Sequence, residues 1–404
     1  MSRVLLVLPD MPIPAMSGYH LRMLSNLAVA KRLGWTTIAA WYGDHAQGQH
    51  RPQLLDADEA TWIGPRIARQ PPSGRIAQRA AWAMKAIVPW RSGSYPFSFA
   101  LEEGRGNVEI AASGVDIVVL PTMLSHWVPE LRRPGLRFIG DCPDIFTDVT
   151  RKLLVANALQ RSIQTPSLLM NHATCYSHER RFLREFDEIW VTSDGEVERA
   201  RELGARHVIS LPSTSAKWDL KPTPSPGNPV VGFIGNLNLD PNLQAARFLA
   251  HEVLPILIAL APDVRLRLAG DVNHPGEFQS IKGLEYLGAI PDASQFVQEC
   301  EVMALPIRVR GGVPLKLFEA MALGRPAVVT PEIIKGLPIN ATTDVIVADS
   351  AEDFAHSIAR LLSNRVARES LAARARSTFE RHFSLDSAIA VASQHSILRS
   401  TDDH

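Results

Sequence analysis

Short apolar runs rich in valine, isoleucine and leucine alternate along this chain with longer segments whose apolar residues recur at helical spacing. In the first half the runs are "RVLLVLP", "TTIAAWY", "VDIVVLP", "LRFIGD", "EIWVTS" and "HVISLP". Near-continuous apolarity over so few residues predicts strands covered on both faces, and hence a parallel sheet with crossover helices. Between the first two runs, "GYHLRMLSNLAVAKRLG" carries Leu21, Leu24, Leu27 and Ala28 on one face, with Gly34 placed to end a helix. Next, "KWDLKPTPSPGNPV" crowds together Pro222, Pro224, Pro226 and Pro229, which neither sheet nor helix accepts, so a linker is expected there. The alternation then restarts with "PVVGFIGN", "VRLRLAGD", "LEYLGAI", "CEVMALPI", "RPAVVTP" and "TDVIVAD", and with helical patterns around 242–261, 292–300, 314–323 and 351–363. From "RVARESLAARARSTFERHF" onward, a basic amphipathic helix is followed by another, its arginines reading as a solvated face rather than a nucleic-acid site. The pattern predicts two doubly wound α/β domains, whose ligands belong at the strand carboxyl ends.

Composition narrows the function classes. With 404 residues, 46% of them hydrophobic, the chain exceeds what one core usually supports. Basic and acidic side chains balance at 42 each, which removes bulk attraction to nucleic acid or membrane as an explanation. Cys142, Cys175 and Cys300 form no CxxC spacing, and so sparse a set implies reduced thiols and a cytoplasmic setting. The apolar run before Pro9 is too short for a secretory leader, and no long uncharged stretch suits a bilayer. Residues 74–91, "GRIAQRAAWAMKAIVPWR", interleave Arg75, Arg79, Lys85 and Arg91 with Trp82 and Trp90; this helix suits either an anionic membrane surface or an ordinary domain face.

Candidate chemistry gathers in "GGVPLKLFEAMALGRP", residues 311–326, directly after a predicted strand. Gly311 and Gly312 allow close backbone approach to a ligand, and the helix opening at Leu315 aims N–H groups and partial positive charge toward it. Glu319, one turn further in, can accept hydrogen bonds from vicinal hydroxyls, a division of labour that fits a ribose and its diphosphate. An ordinary surface pair between Lys316 and Glu319 is the alternative. No GxGxxG follows either opening strand, which disfavours a dinucleotide-dependent oxidoreductase. Asp56-Ala57-Asp58 is an acidic pair away from a strand end, so no metal is expected.

"LPIRVRGGVPLKLFEAMALGRPAVVT" resembles the nucleotide-sugar site of glycosyltransferase family 4, retaining enzymes of GT-B fold. "VVGFIGNLNLDPNLQAARFLAHEVLPIL" is similar to the opening of that family's donor domain, particularly in the branch associated with exopolysaccharide sugar transfer. "HERRFLREFDEIWVTSDGE" and "FERHFSLDSAIA" resemble the end of its acceptor domain and its C-terminal helices. The resemblance implies two Rossmann-like domains facing a cleft: an acceptor-binding domain at 1–215, a linker at 216–229 around which they close, a donor-binding domain at 230–365, and helices at 366–404 crossing back to the first domain. It also implies donor contacts from Gly18, Gly235, Asn236, Gly270, Ile290, Arg308, Gly311, Gly312, Val313, Leu315, Lys316 and Glu319.

Departures from the family are equally specific. Gly311 stands where the family's motif has its first glutamate, and Asn236 and Asn242 stand where many members carry the arginine and lysine that clamp the diphosphate. Lys316 is then the preferred cation for that charge; Arg308 and Arg310 either join it or are surface residues. In the first domain, Asp141 and His126 are the candidate catalytic side chains, with Asp144 beside them, and His126 is equally readable as structural. The implied activity is retaining transfer of a hexose from a UDP-, GDP- or dTDP-sugar to a glycan, lipid-linked or small-molecule acceptor, with no cofactor, no metal and no nucleic-acid partner. It would take place in the cytoplasm, including the inner membrane face. A nucleotide-sugar 2-epimerase of the same fold and a noncatalytic nucleotide-sugar binding protein are the alternatives.

Overall fold

The computed structural model describes residues 2–8, 18–42, 56–64, 105–159, 165–214, 220–309 and 313–399. The segment 74–91, the loop before Gly18, and Arg310, Gly311 and Gly312 lie outside the described residues. Two compact units divide the chain: Met1–Ala216 with Ala388–His404, and Lys217–Ser387.

The first unit holds strands β1 (Arg3–Leu8), β2 (Thr36–Tyr42), β3 (Glu59–Gly64), β4 (Ile117–Pro121), β5 (Arg137–Asp141), β6 (Glu188–Val191) and β7 (Val208–Ser210), all parallel, in the order 3-2-1-4-5-6-7. Its helices include α1 (Gly18–Arg32), α2 (Arg105–Ala111), α3 (Val128–Leu131), α4 (Phe146–Leu159), α5 (Thr165–Phe182) and α6 (Asp194–Glu202). Strand β1 is central: Leu6 pairs with Ala39 on one side and Val119 on the other, and Val4 to Leu8 are all buried. Each such side chain contributes on the order of 1.5–3 kcal/mol by leaving water. Strand β3 has no apolar run to announce it. It is an edge strand in which Glu59 and Ala60 are exposed and Ile63 is buried, and Asp58 just before it accepts from Thr37 N at 2.7 Å and Thr37 Oγ1 at 2.9 Å. Those backbone and hydroxyl donors hold the Asp58 carboxyl below its usual range, and Asp56 pairs with Lys31. The Asp-Ala-Asp sequence thus fastens a sheet edge.

The second unit repeats the plan with β8 (Val230–Ile234), β9 (Arg265–Ala269), β10 (Leu284–Gly288), β11 (Val302–Leu305), β12 (Ala327–Val329) and β13 (Ile346–Val347), parallel in the order 10-9-8-11-12-13. Between them run α7 (Asp240–Phe248), continued through a wide turn into α8 (Leu254–Leu260), then α9 (Ala293–Glu299), α10 (Leu315–Ala322), α11 (Pro331–Ile334), α12 (Ala351–Ser363) and α13 (Arg365–His382). Among the described residues, the stretch Asp240–Leu260 is long and apolar enough to cross a membrane, yet Leu249, Val253, Leu254 and Leu257 are spent in the core of this unit.

The Pro-rich stretch, read as a linker from its sequence, belongs from Leu220 onward to the second unit. Arg325, buried, donates to Thr223 O at 2.8 Å and Pro224 O at 2.9 Å, while Glu301, also buried, accepts from Ser225 Oγ and Gly227 N. Prolines leave carbonyls without a ladder to join, and the arginine supplies their donors. Helix α13 lies against α10, with Phe383 stacked on Phe318 at 4.0 Å between centroids. Beyond it, α14 (Leu385–His395) and the following turn return to the first unit, where Glu188, fully buried, accepts from Trp190 Nε1, Ser396 Oγ and Ile397 N, and Trp35 Nε1 donates to Leu398 O at 2.7 Å.

Candidate functional site

In the second sheet, the strand order reverses direction between β8 and β11, so the crossovers leaving these neighbours part to opposite sides and open a crevice at their carboxyl ends. Gly235 leaves β8 there, and β11 leads through Ile307 and Arg308 toward α10. Gly235 and Gly270 touch backbone to backbone: a Cβ on Gly270 would stand 1.8 Å from Gly235 O, and Gly270 takes φ 135°. The exit from β9 therefore needs glycine to bend over the sheet. Gly235 also faces two side chains arriving from different helices. A Cβ there would lie 2.8 Å from Lys316 Nζ of α10 and 3.0 Å from Asn242 Cγ of α7.

Lys316 Nζ donates to Asn242 Oδ1 at 2.8 Å and lies 4.9 Å from the centroid of the Phe233 ring. Asn242 in turn donates from Nδ2 to Asn236 O at 2.9 Å, which fixes the amide with its oxygen toward the lysine. The Lys316 side chain is half-buried, and burial pushes its ammonium down to about 7. Asn236 Oδ1 accepts from Asn238 N at 3.0 Å, so this loop is locked by its own amides.

Glu319 is half-buried on α10 and its Oε1 accepts from Ser294 Oγ of α9 at 2.7 Å. Lys316 and Glu319 turn to different partners, so the surface ion pair open to them by spacing is not made. Asp292 caps α9 by accepting from Ser294 N and Gln295 N, and Ile290, two residues earlier, packs against the core; together they set the height of the Ser294 hydroxyl. At the start of α10, Leu315 N turns onto Val313 O at 3.0 Å and Leu317 N onto Pro314 O at 2.8 Å. Those two N–H groups are engaged within the turn, and the Lys316 side chain adds a full positive charge at this helix start. Arg308 is exposed, pairs with Asp349 at 2.5 Å and lies over the Phe248 ring at 5.4 Å. Among the described residues, two cavities lie apart from this cluster. One of about 410 Å³ is lined by Thr223, Arg325 and Arg368, whose guanidinium groups serve backbone carbonyls and Glu301, and one of about 600 Å³ lies along β7 and α14.

In the first unit Gly18 is the first residue of α1. Asp141, at the end of β5, is 4% exposed and accepts from Arg22 Nε at 2.6 Å; Arg22, 1% exposed, also reaches Leu211 O, Ser213 Oγ and Trp190 O. That arginine makes this candidate catalytic carboxylate half of a buried ion pair tying α1 to the sheet. His126 follows β4 in a tight turn, half-buried with its ring edge-on to Trp127, His178 and Phe182. Neither ring nitrogen has a hydrogen-bond partner, and burial, with Arg105 nearby, pushes the imidazole down to about 4. The ring is therefore neutral near pH 7. Asp144 is half-buried in the loop before α4. The sequence reading missed Ser294 and Arg22 and treated Asn242 as a loss. One available signal was "PDAS" before α9, an aspartate N-cap that fixes a serine hydroxyl nearby.

Residues 228–364 match the family model described as Glycosyl transferases group 1. A comparison with curated protein sequences gave no match. Among solved structures, the chain is similar to Anabaena Alr3699/HepE in complex with UDP and glucose, at TM-score 0.62 and 14% identity, covering 96% of this chain and 98% of that one. It is similar to sucrose-phosphate synthase from Thermosynechococcus elongatus at TM-score 0.67 and 14% identity, over 97% and 98%. A glycosyltransferase from Rickettsia africae gives 0.58 and 13%, over 96% of each. The chain has the two-domain α/β GT-B fold, as its sequence led us to expect.

Proposed function

We propose that this protein is a glycosyltransferase that takes a hexose from a nucleoside diphosphate sugar, with retention of anomeric configuration. The observation that carries the reading is a cation and a carboxylate on one short helix, Lys316 and Glu319, at the crevice where β8 and β11 part. It is supported by the group 1 match over 228–364 and by the UDP and glucose bound to HepE, a structure of the same fold. In this reading Glu319 takes the ribose hydroxyls and Lys316 faces the diphosphate, stabilising the negative charge that grows on the departing group. No enzyme nucleophile is assigned, since the retained diphosphate itself can receive the acceptor proton; Asp141 is tied to Arg22. Residues 1–215 hold the acceptor, a glycan, a lipid-linked sugar or a small molecule. The setting is cytoplasmic, in keeping with three buried, unpaired thiols.

A thermal-shift screen against UDP, GDP, dTDP and their sugars, followed by product analysis with the sugar that binds, tests the proposal. A raised Tm with one nucleotide class, and a glycoside product whose anomeric proton shows the donor's configuration, are expected. Binding without any product across acceptor classes, or an epimerised free sugar, would contradict glycosyl transfer.

A further inference from the structure

Lys316 and Asn242 reach the exit of β8 from opposite sides, one from α10 and the other from the first turn of α7. We propose that Asn242 and Lys316 act as one unit, in which the Asn242 amide is a positioning residue that holds the lysine nitrogen over the end of β8 for a diphosphate. This inference rests on the nucleotide-binding reading above and deepens it.

The amide has its NH2 spent on Asn236 O, so it presents an oxygen and no donor to the lysine. Gly235 leaves room for the meeting, because a Cβ at that position would overlap both side chains. One of the three ammonium protons is used on Asn242, which leaves two for a ligand. Among the described residues no carboxylate pairs with Lys316. Asp240 of α7 accepts from Gln244, Asp271 beyond β9 accepts from Asn238, Glu277 pairs with Arg247, and Glu319 on its own helix accepts from Ser294. A half-buried cation without a counter-charge is costly to the ligand-free protein. A diphosphate supplies the missing charge. Since lysine nitrogen and asparagine oxygen stand 2.8 Å apart, a lysine built from position 242 would bring its ammonium to the same place. The two positions are interchangeable sources of a single charge.

Burial holds the empty-site ammonium near 7, and a bound diphosphate raises that value, so binding above pH 7 takes up a proton at Lys316. Affinity therefore declines as pH rises above 7, until the bound-state value is passed.

The test uses the full chain and isothermal titration with UDP, GDP and dTDP, and with their parent nucleosides. At pH 7.5, Lys316→Leu is expected to weaken diphosphate binding by about 10- to 100-fold and to leave nucleoside binding unchanged. Asn242→Ala should weaken the diphosphate in the same sense and move the break in its pH profile to lower pH. The double variant Asn242→Lys/Lys316→Leu should recover to within about threefold of wild type. Titrations in buffers of different ionisation enthalpy should show net proton uptake for the wild type and none for Lys316→Leu, a readout that a merely structural role would not move and that needs no double variant. Equal diphosphate affinity in Lys316→Leu, no proton uptake by the wild type, or a folded double variant no better than Lys316→Leu would each overturn the unit while leaving the nucleotide site standing. Failure of the wild type to bind any of the three diphosphates would overturn the functional reading, and this inference with it.

Discussion

Lys316 shows at the scale of one residue how a binding function sets itself against stability. Its value of about 7 in the folded chain lies below the ordinary 10.5, so the unfolded chain binds this proton more readily through that window. The penalty on folding grows as pH falls from 10.5 toward 7 and is complete below 7. Lys316→Met is therefore expected to raise the Tm of the ligand-free protein at pH 7 by at least about 2 °C, with the gain shrinking toward pH 10, while diphosphate binding weakens by about 10- to 100-fold. Glu319→Gln should weaken the nucleotide by about tenfold or more, through loss of charge-assisted bonds to the ribose, while Ser294 Oγ keeps an acceptor. Asp141→Asn should lower Tm strongly, since removing one charge of a buried pair costs on the order of 3–5 kcal/mol. His126 adds a pH dependence of the same origin, burial of a basic group, in a lower window. Folded near 4 against an ordinary 6.5, it contributes stability that is complete above 6.5 and is lost as pH falls toward 4. Thermal melts of His126→Phe across that range should show a shallower acid decline than wild type.

At the scale of elements, strands could be read from sequence wherever both faces are covered. The runs "RVLLVLP" and "CEVMALPI" are buried along nearly their whole length, and every quoted run became a strand. Strand β3 escaped because an edge strand needs little apolar surface, and "EATWIG" is held by Asp58 to Thr37 and by its neighbour β2. In the site, "GGVPLKLFEAMALG" located helix α10 correctly, since glycine, proline and helical periodicity are local signals. What local pattern could not show is which distant side chain meets Lys316: Asn242 is 74 residues away in sequence. Nor could it show that Arg22 would claim Asp141, 119 residues along. The bend that brings these elements together depends on Gly235 and Gly270. Gly270→Ala would drive a Cβ into Gly235 O and is expected to lower Tm and nucleotide affinity together, as measured by melts and titration, because φ 135° also strains the new side chain.

For the whole molecule, two repeated sheets of the GT-B fold are completed by segments that do not follow simple sequence order. The Pro-rich stretch is fastened to the second unit by Arg325 and Glu301, and the final residues are fastened to the first by Glu188. Ending the chain at Ser387 would leave Glu188, buried, without Ser396 and Ile397, and would uncover Trp35. Calorimetry of that truncation should show the first unit melting earlier and the second little changed, each buried group left unsatisfied costing about 1–3 kcal/mol. On the function proposed here, one short helix beside the end of β8 grips diphosphate and ribose together. A crystal structure of the chain soaked with its preferred nucleotide sugar tests this most directly. A phosphate oxygen within hydrogen-bond distance of Lys316 Nζ, and the ribose hydroxyls on Glu319, are the expected result. A nucleotide bound elsewhere, or one seated there with Glu319 turned away from the ribose, would contradict it.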